Sequence, residues 1–252
     1  MPSLDYEKIA RYYDSYVRVD FDIKFFLEET KKVSGKVLEL MSGTGRVSIP
    51  LIEAGVNLTC VDSSVEMLNV FKNKLQEKNL SVNIIETDVC EMSLEEKYDL
   101  IFIPFQAFAE LVSVSQQHSA LKKIYEHLTD EGRFICTLHN PHVRLKSADG
   151  NIRLIGKFPI KNKDNILFLW CLENYDKDKK IVSGYQFYEI YNKDGQFCSK
   201  SFLDINFYVH EKFSFELLVH EIGFQIDSLY GDYSCGTYIR DVSPVMIWNL
   251  KR

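Results

Sequence analysis

The sequence has no C-x-x-C pair and no regular cysteine spacing. Its six cysteines, Cys60, Cys90, Cys136, Cys171, Cys198 and Cys235, lie far apart. That spacing offers no zinc or iron–sulfur framework. Several fall in strand-like apolar runs, so they read as buried free thiols of a reducing compartment. The histidines are not paired at i,i+4, so the helical metalloprotease pattern is missing and no metal is expected. There is no long apolar run and acids begin at Asp5, so neither membrane span nor signal peptide is expected, and the cytoplasm is the default location. Basic excess is absent too: 30 Lys and Arg face 36 Asp and Glu, a formal net charge of −6. A phosphate-binding face needs the opposite balance, so nucleic acid is not an expected partner. What remains is ordinary globular material, 46% hydrophobic and 26% charged, in 252 residues. That length suits one large core or a core with an insertion.

The most informative stretch is residues 36–46, Lys-Val-Leu-Glu-Leu-Met-Ser-Gly-Thr-Gly-Arg. An apolar run stops near Glu39, turns through Gly43 and Gly45 and enters a helical stretch, residues 47–54. This predicts the first strand–turn–helix of an open α/β sheet, whose ligands bind at the carboxyl ends of the strands. The next apolar run, residues 58–61, ends in Asp62, placed where a carboxylate grips a ribose hydroxyl. A third run, residues 82–86, ends near Asp88. Three acids at successive strand ends predict a nucleoside site. A dinucleotide fingerprint would need a third glycine after Gly45, where Val47-Ser48 stand instead, and Glu39 would repel a pyrophosphate but suit a cationic amino acid.

Glu39-Leu-Met-Ser-Gly43-Thr-Gly45-Arg46, with Val61-Asp62-Ser63-Ser64-Val65-Glu66-Met67-Leu68 and Thr87-Asp88-Val89, resembles the corresponding segments of class I S-adenosylmethionine-dependent methyltransferases. The family often carries glycine where Met41 stands, so Met41 implies a turn that begins one residue later or a cofactor set slightly away. The resemblance implies a Rossmann-like α/β fold with a seven-stranded sheet in the order 3-2-1-4-5-7-6, S-adenosyl-L-methionine as cofactor, and cofactor contacts from Glu39, Ser42, Gly43, Gly45, Asp62, Ser63, Met67, Asp88, Val89 and Phe105. It further implies Tyr13 and Arg18, from the aromatic segment 4–30, as lid residues near the methionine part.

After the strand at residues 98–103 comes Pro104-Phe105-Gln106 rather than the N-P-P-Y or D-P-P-Y of base and glutamine methylation, so base flipping is not expected. Gln106 could still meet a substrate. A helix capped by Ser115, an exit turn at 129–132 and a strand at 133–138 lead to His139-Asn140-Pro141-His142. The α/β rhythm then breaks into period-two alternation from about residue 151 to 208, with turns at 161–164, 176–180 and 192–195. This predicts an inserted antiparallel β-sheet. The expected division is residues 1–142 with 211–252 as the cofactor-binding domain, and 143–210 as a lid over the acceptor. The order of elements resembles the sugar-amine N,N-dimethyltransferases, which implies a roofing insert that also helps form a homodimer. A helix at 214–222 and strands at 224–230 and 244–250 close the parent fold.

Methyl transfer from a sulfonium needs an in-line, dry pocket, plus a base where the nucleophile carries a proton. His139 and His142 are the expected bases, His210 a third candidate, and Tyr185 and Tyr188 possible pocket walls. The acceptor is expected to be an N or O atom of a small molecule. The alternatives are an RNA- or protein-directed methyltransferase, or a non-catalytic protein that binds the cofactor.

Overall fold

The computed structural model describes residues 6–160 and 164–252. Two sheets organise it. The larger has seven strands: β1 (Val37–Leu40), β2 (Leu58–Asp62), β3 (Asn83–Glu86), β4 (Tyr98–Ile103), β5 (Leu128–His139), β10 (Gln225–Tyr230) and β11 (Val245–Lys251). Their spatial order is β10-β11-β5-β4-β1-β2-β3, with β1 to β5 parallel and β11 antiparallel to both its neighbours. This is the expected 3-2-1-4-5-7-6 order. The strand order reverses between β1, from which the chain crosses over to β2, and β4, so the crevice at the carboxyl ends of β1 and β4 is the ligand position of such sheets. Near-continuous apolar runs in β1 and β4 follow from burial on both faces. One core, built on Phe108, Phe134, Phe215 and Trp248, covers one side; another, built on Phe26, Phe71 and Phe102, covers the other.

The second sheet is the insert: β6 (Asp149–Pro159), β7 (Ile166–Asp176), β8 (Ile181–Tyr191) and β9 (Phe197–Tyr208), antiparallel in sequence order. Of the 161–164 turn, all but Asp164 lies outside the described residues, as does the start of the aromatic segment at Leu4 and Asp5. The insert's inner face buries Leu167, Leu169, Tyr188, Leu203 and Ile205 against Ile9 and Tyr12, the latter on α1 (Ala10–Tyr16). The N-terminal segment is thus sandwiched between the insert and the main sheet.

Local corrections have simple causes. The helix after β4, α5 (Val114–His127), is capped by Ser113, not Ser115, because Ser113 and Gln116 form a reciprocal capping box. Residues 129–132 fall inside β5 but have no ladder partner: β4 pairs with Leu128 and then with Arg133, and the expected turn is the irregularity between those two pairs. The last helix, α7 (Lys212–Ile222), begins three residues earlier than a cap at Ser214 would set it, with Glu211 at its cap, and ends at Gly223. Pro50 falls in the first turn of α3 (Ser48–Glu53), where its missing N–H costs nothing. Among the cysteines, Cys60, Cys136 and Cys171 are buried but Cys198 and Cys235 are exposed. No described helix is long and apolar enough to cross a membrane, and the described residues hold no group of three or more His, Cys, Asp or Glu placed to bind a metal.

Candidate active site

The turn after β1 is the centre of a cleft of about 600 Å³. Met41, Gly43 and Gly45 all take positive φ, at 56°, 55° and 76°. Met41 therefore keeps the left-handed conformation that the family's glycine would supply; the turn does not start a residue later. Its cost is about 1–2 kcal/mol. Gly45 has a second reason to be glycine: a Cβ there would lie 2.2 Å from the ring of Phe71, which stands on α4 (Val65–Lys78). Ser42 N–H donates to the Val61 carbonyl at 3.0 Å, fixing the loop to β2, while Ser42 Oγ is buried with no partner of its own.

Asp62 locks the turn. Its Oδ2 accepts the Gly43 N–H at 2.7 Å and its Oδ1 the Ser64 N–H at 2.8 Å. Burial raises its pKa, against the lowering effect of those backbone donors. Ser64 then caps α4, with Met67 N–H donating to its Oγ. Glu39, on β1, is buried and accepts the Ser48 hydroxyl at 2.7 Å. Burial pushes its pKa up to about 8, opposed by the Ser48 hydrogen bond and the Arg46 charge. Asp88 Oδ1 accepts the Cys90 N–H at 2.8 Å.

Sequence reasoning placed most of the wall. Tyr13, Glu39, Ser42 and Gly43 face the cleft, as do Asp62, Ser63, Met67, Asp88, Val89 and Phe105. Gly45 shapes the turn behind them. Arg18 is elsewhere: its guanidinium donates to the Pro159 carbonyl at 2.8 Å, tying the N-terminal segment to β6. The basic residue at the cleft is Arg46, pinned by a two-pronged pair with Asp22 at 2.5 and 2.6 Å and lying 4.6 Å over the Phe105 ring. Gln106 is held by Tyr233 and Thr137 instead of facing the cleft.

Neither expected histidine lines the cleft. His139 lines a small separate pocket with Arg144, Phe207 and His210. Burial, with Arg144 nearby, lowers its pKa to about 3. The reason is local: His139 is the last residue of β5, and its ring leans on Phe207 of β9. His142 sits on α6 (Pro141–Arg144), accepts the Arg240 Nε–H at 3.0 Å and lies 3.7 Å from Glu211 and 3.9 Å from Asp241. Tyr188 is buried in the insert's core with its hydroxyl 3.2 Å from that of Tyr16, and Tyr185 is exposed; neither walls the cleft.

The sequence reading missed Glu110 and Tyr6. Glu110 ends a short 3₁₀ turn (Ala107–Glu110) just past β4 and accepts the Tyr6 hydroxyl at 2.7 Å. Burial raises its pKa to about 7, the Tyr6 hydrogen bond lowers it and the Asp62 charge raises it. No motif flags an acid seven residues beyond a strand. Only the fold brings Tyr6 and Glu110, 104 residues apart, together.

Residues 37–132 match the family model described as a methyltransferase domain. Over 236 residues the chain is 27% identical to the glycine/sarcosine N-methyltransferase of Aphanothece halophytica, spanning 90% of this chain and 80% of that protein. Its fold superposes on an S-adenosylmethionine-dependent methyltransferase from Clostridium acetobutylicum with a TM-score of 0.80 at 19% identity, covering 98% of both chains. Together these likenesses support a class I S-adenosylmethionine-dependent methyltransferase. This methyltransferase also shares its fold with the sugar N-methyltransferase KedS8 of Streptoalloteichus, at a TM-score of 0.73 and 14% identity, over 97% of this chain and 92% of that one. The insert is therefore part of a fold shared along nearly the full chain. The cleft fits a cation of the size of S-adenosyl-L-methionine, the cofactor on which the Clostridium acetobutylicum neighbour depends. Its volume is within the usual range for small-molecule sites, the turn backbone is open at Gly43, and the Ser42 hydroxyl is unpartnered beside it.

Proposed function

We propose that this methyltransferase acts on the nitrogen of a small amine. The charge of the cleft carries this reading. Among the described residues that line it six are carboxylic, Glu7, Glu39, Asp62, Glu66, Asp88 and Glu110, and Arg46 is the sole Lys or Arg. That guanidinium is already neutralised by Asp22. Such a site attracts cations and repels phosphate or a bare carboxylate. The activities of similar proteins, glycine/sarcosine and sugar N-methylation, support the same class of acceptor.

In this proposal Asp62 takes the ribose hydroxyls, and Asp88 with the Val89 N–H reads the adenine edge. Met67 and Phe105 flank the cofactor, Glu39 meets its cationic end, and Ser42, Gly43, Ser63 and Gly45 form or border the cradle. Tyr13 closes the cleft from the N-terminal segment. Residues 1–142 and 211–252 form the cofactor-binding domain, and residues 143–210 act on the acceptor side by bracing the N-terminal segment. The exposed Tyr185, Phe197 and Phe202 of the insert form a homodimer contact, which light scattering would test. The protein works in the cytoplasm.

The experiment is a screen for S-adenosylhomocysteine release with purified protein. Glycine, sarcosine and amino sugars are each paired with a hydroxyl counterpart, and RNA is included. Turnover of amines over their hydroxyl counterparts is expected; preferential turnover of a hydroxyl compound or of RNA would overturn the proposal.

A further inference from the structure

Outside the cofactor-reading acids of the proposed function, the cleft holds a carboxylate with no role yet. Glu110 is partly exposed to the cleft, just past the carboxyl end of β4, a strand end at which open sheets of this type bind their ligands. One of its oxygens accepts the Tyr6 hydroxyl at 2.7 Å; the structure gives Glu110 no cationic partner among its hydrogen bonds or ion pairs. The groups that face it are Tyr6 from the first turn of the described chain, Tyr13 from α1 and Asp62 from the end of β2. None of these carries positive charge. Leu111 and Ala107 border the same part of the wall. A carboxylate without a cation, in a cleft with one pre-neutralised guanidinium, is incomplete until a positive group arrives.

We infer that Glu110, oriented by Tyr6, is the catalytic residue that binds the acceptor as an ammonium ion and takes its proton. The inference rests on the proposed amine specificity and adds the residue that makes an ammonium reactive. An ammonium has no lone pair, so it cannot attack carbon. Glu110 receives one proton from R–NH₃⁺, giving R–NH₂ and a neutral carboxylic acid. The freed lone pair forms the C–N bond while the S–CH₃ bond breaks and its electron pair stays on sulfur. The products are R–NH₂⁺–CH₃ and S-adenosylhomocysteine, and Glu110 then returns its proton to water. A group with pKa near 7 is suited to both halves of that cycle, since it holds the charge needed for binding and gives the proton up afterwards. The Tyr6 hydroxyl stabilises the charged form, so Tyr6 is a positioning residue that sets the pH at which Glu110 works.

The test uses full-length protein loaded with S-adenosylhomocysteine and ¹³C-carboxyl-labelled glutamate, with the Glu110 resonance assigned by its loss in Glu110→Gln. Ethylammonium chloride is added against equal sodium chloride and against ethanol. The expected result is a fall of about one pH unit in the Glu110 titration midpoint with ethylammonium only. In parallel, wild type, Glu110→Gln, Glu110→Asp and Tyr6→Phe are compared on whichever amine the wild type turns over fastest. Glu110→Gln should lower kcat at pH 7 at least 100-fold, leave S-adenosylmethionine affinity within about 3-fold, and abolish the rise in rate through pH 7. Glu110→Asp should recover part of the rate. Tyr6→Phe should move the rise to higher pH, a shift that mere loss of packing would not give. An unmoved Glu110 resonance, or a Glu110→Gln enzyme with the wild-type pH profile, overturns the inference even where amine methylation stands. Failure of every amine with an ethylammonium-shifted Glu110 would instead overturn the proposed reaction and leave the cation site.

Discussion

Glu39→Gln should make the protein more stable and a poorer binder at the same time. Glu39 is buried on β1, where its carboxyl accepts the Ser48 hydroxyl. Its folded pKa is about 8 against an ordinary 4.5, chiefly through burial. The folded state therefore keeps a proton that the unfolded chain releases above pH 4.5, so stability falls as pH rises from 4.5 towards 8 and is undiminished below 4.5. At pH 7 the interval corresponds to about 3 kcal/mol, at ~1.4 kcal/mol per pH unit. Glutamine has nearly the same shape, keeps an acceptor for Ser48 and never ionises. The variant without ligand should thus melt higher at pH 7, by roughly 5–12 °C for a chain of this size, and the gain should vanish at pH 4.5. Adding S-adenosylmethionine reverses the order. A buried carboxylate facing the cofactor's cationic end is a charge-assisted partner of about 1.5–3 kcal/mol, so the variant should bind roughly 10- to 150-fold more weakly. Scanning calorimetry at pH 4.5, 7 and 8, with titration calorimetry at pH 7, measures both effects. A variant that melts no higher than wild type at pH 7 and binds the cofactor equally well would refute the placement of Glu39.

Asp62→Ala should weaken S-adenosylmethionine binding by about 1–3 kcal/mol, and it should also loosen the turn, because the Gly43 and Ser64 N–H groups lose their acceptor; hydrogen exchange at those two amides checks the second part. Gly45→Ala should destabilise the fold by about 2–4 kcal/mol, since the new methyl group meets Phe71 and the φ of 76° is unfavourable for alanine; urea melts would detect it. Acid lability should come from His139 and His210, both buried neutral with pKa lowered to about 3. The unfolded chain binds their protons first, so their contribution is full above pH 6.5 and is lost as pH falls towards 3. His210→Phe, among Phe108, Tyr208 and Phe215, should flatten that acid limb; an unchanged limb would show that His210 is not its source.

Much of the cofactor side was legible because strand ends advertise themselves. Glu39, Asp62 and Asp88 each follow or end an apolar run, and Gly43 and Gly45 mark the turn between them. The same periodicity made the strand order and the four-stranded insert readable. Met41 could not be read, because a methionine in a left-handed turn has no local signature; only the φ of its backbone shows that it occupies a glycine-like place. The acceptor side was mostly hidden for a related reason. Histidine near a strand end is a reasonable base on chemistry alone, yet whether it faces the cleft depends on the insert, and β9 draws His139 to the other side. The expected roof was misplaced in the same way: α1 and the turn before it intervene, so Tyr6 and Tyr13 face the cleft while Tyr188 is buried behind them. The Tyr6–Glu110 pair joins the chain's start to the end of β4, a contact set by tertiary packing rather than by any pattern within either segment.

In the proposed function Glu39, the Ser42–Gly45 turn, Asp62 and Asp88 form one site that reads S-adenosylmethionine and rejects dinucleotides. Titration calorimetry of the purified protein with S-adenosylmethionine and with NAD, under identical buffer and salt, tests it most directly. Micromolar or tighter one-to-one binding of S-adenosylmethionine, weakened in Asp62→Ala, with no detectable heat from NAD is the predicted result. Tight NAD binding, or S-adenosylmethionine binding indifferent to Asp62, would contradict it.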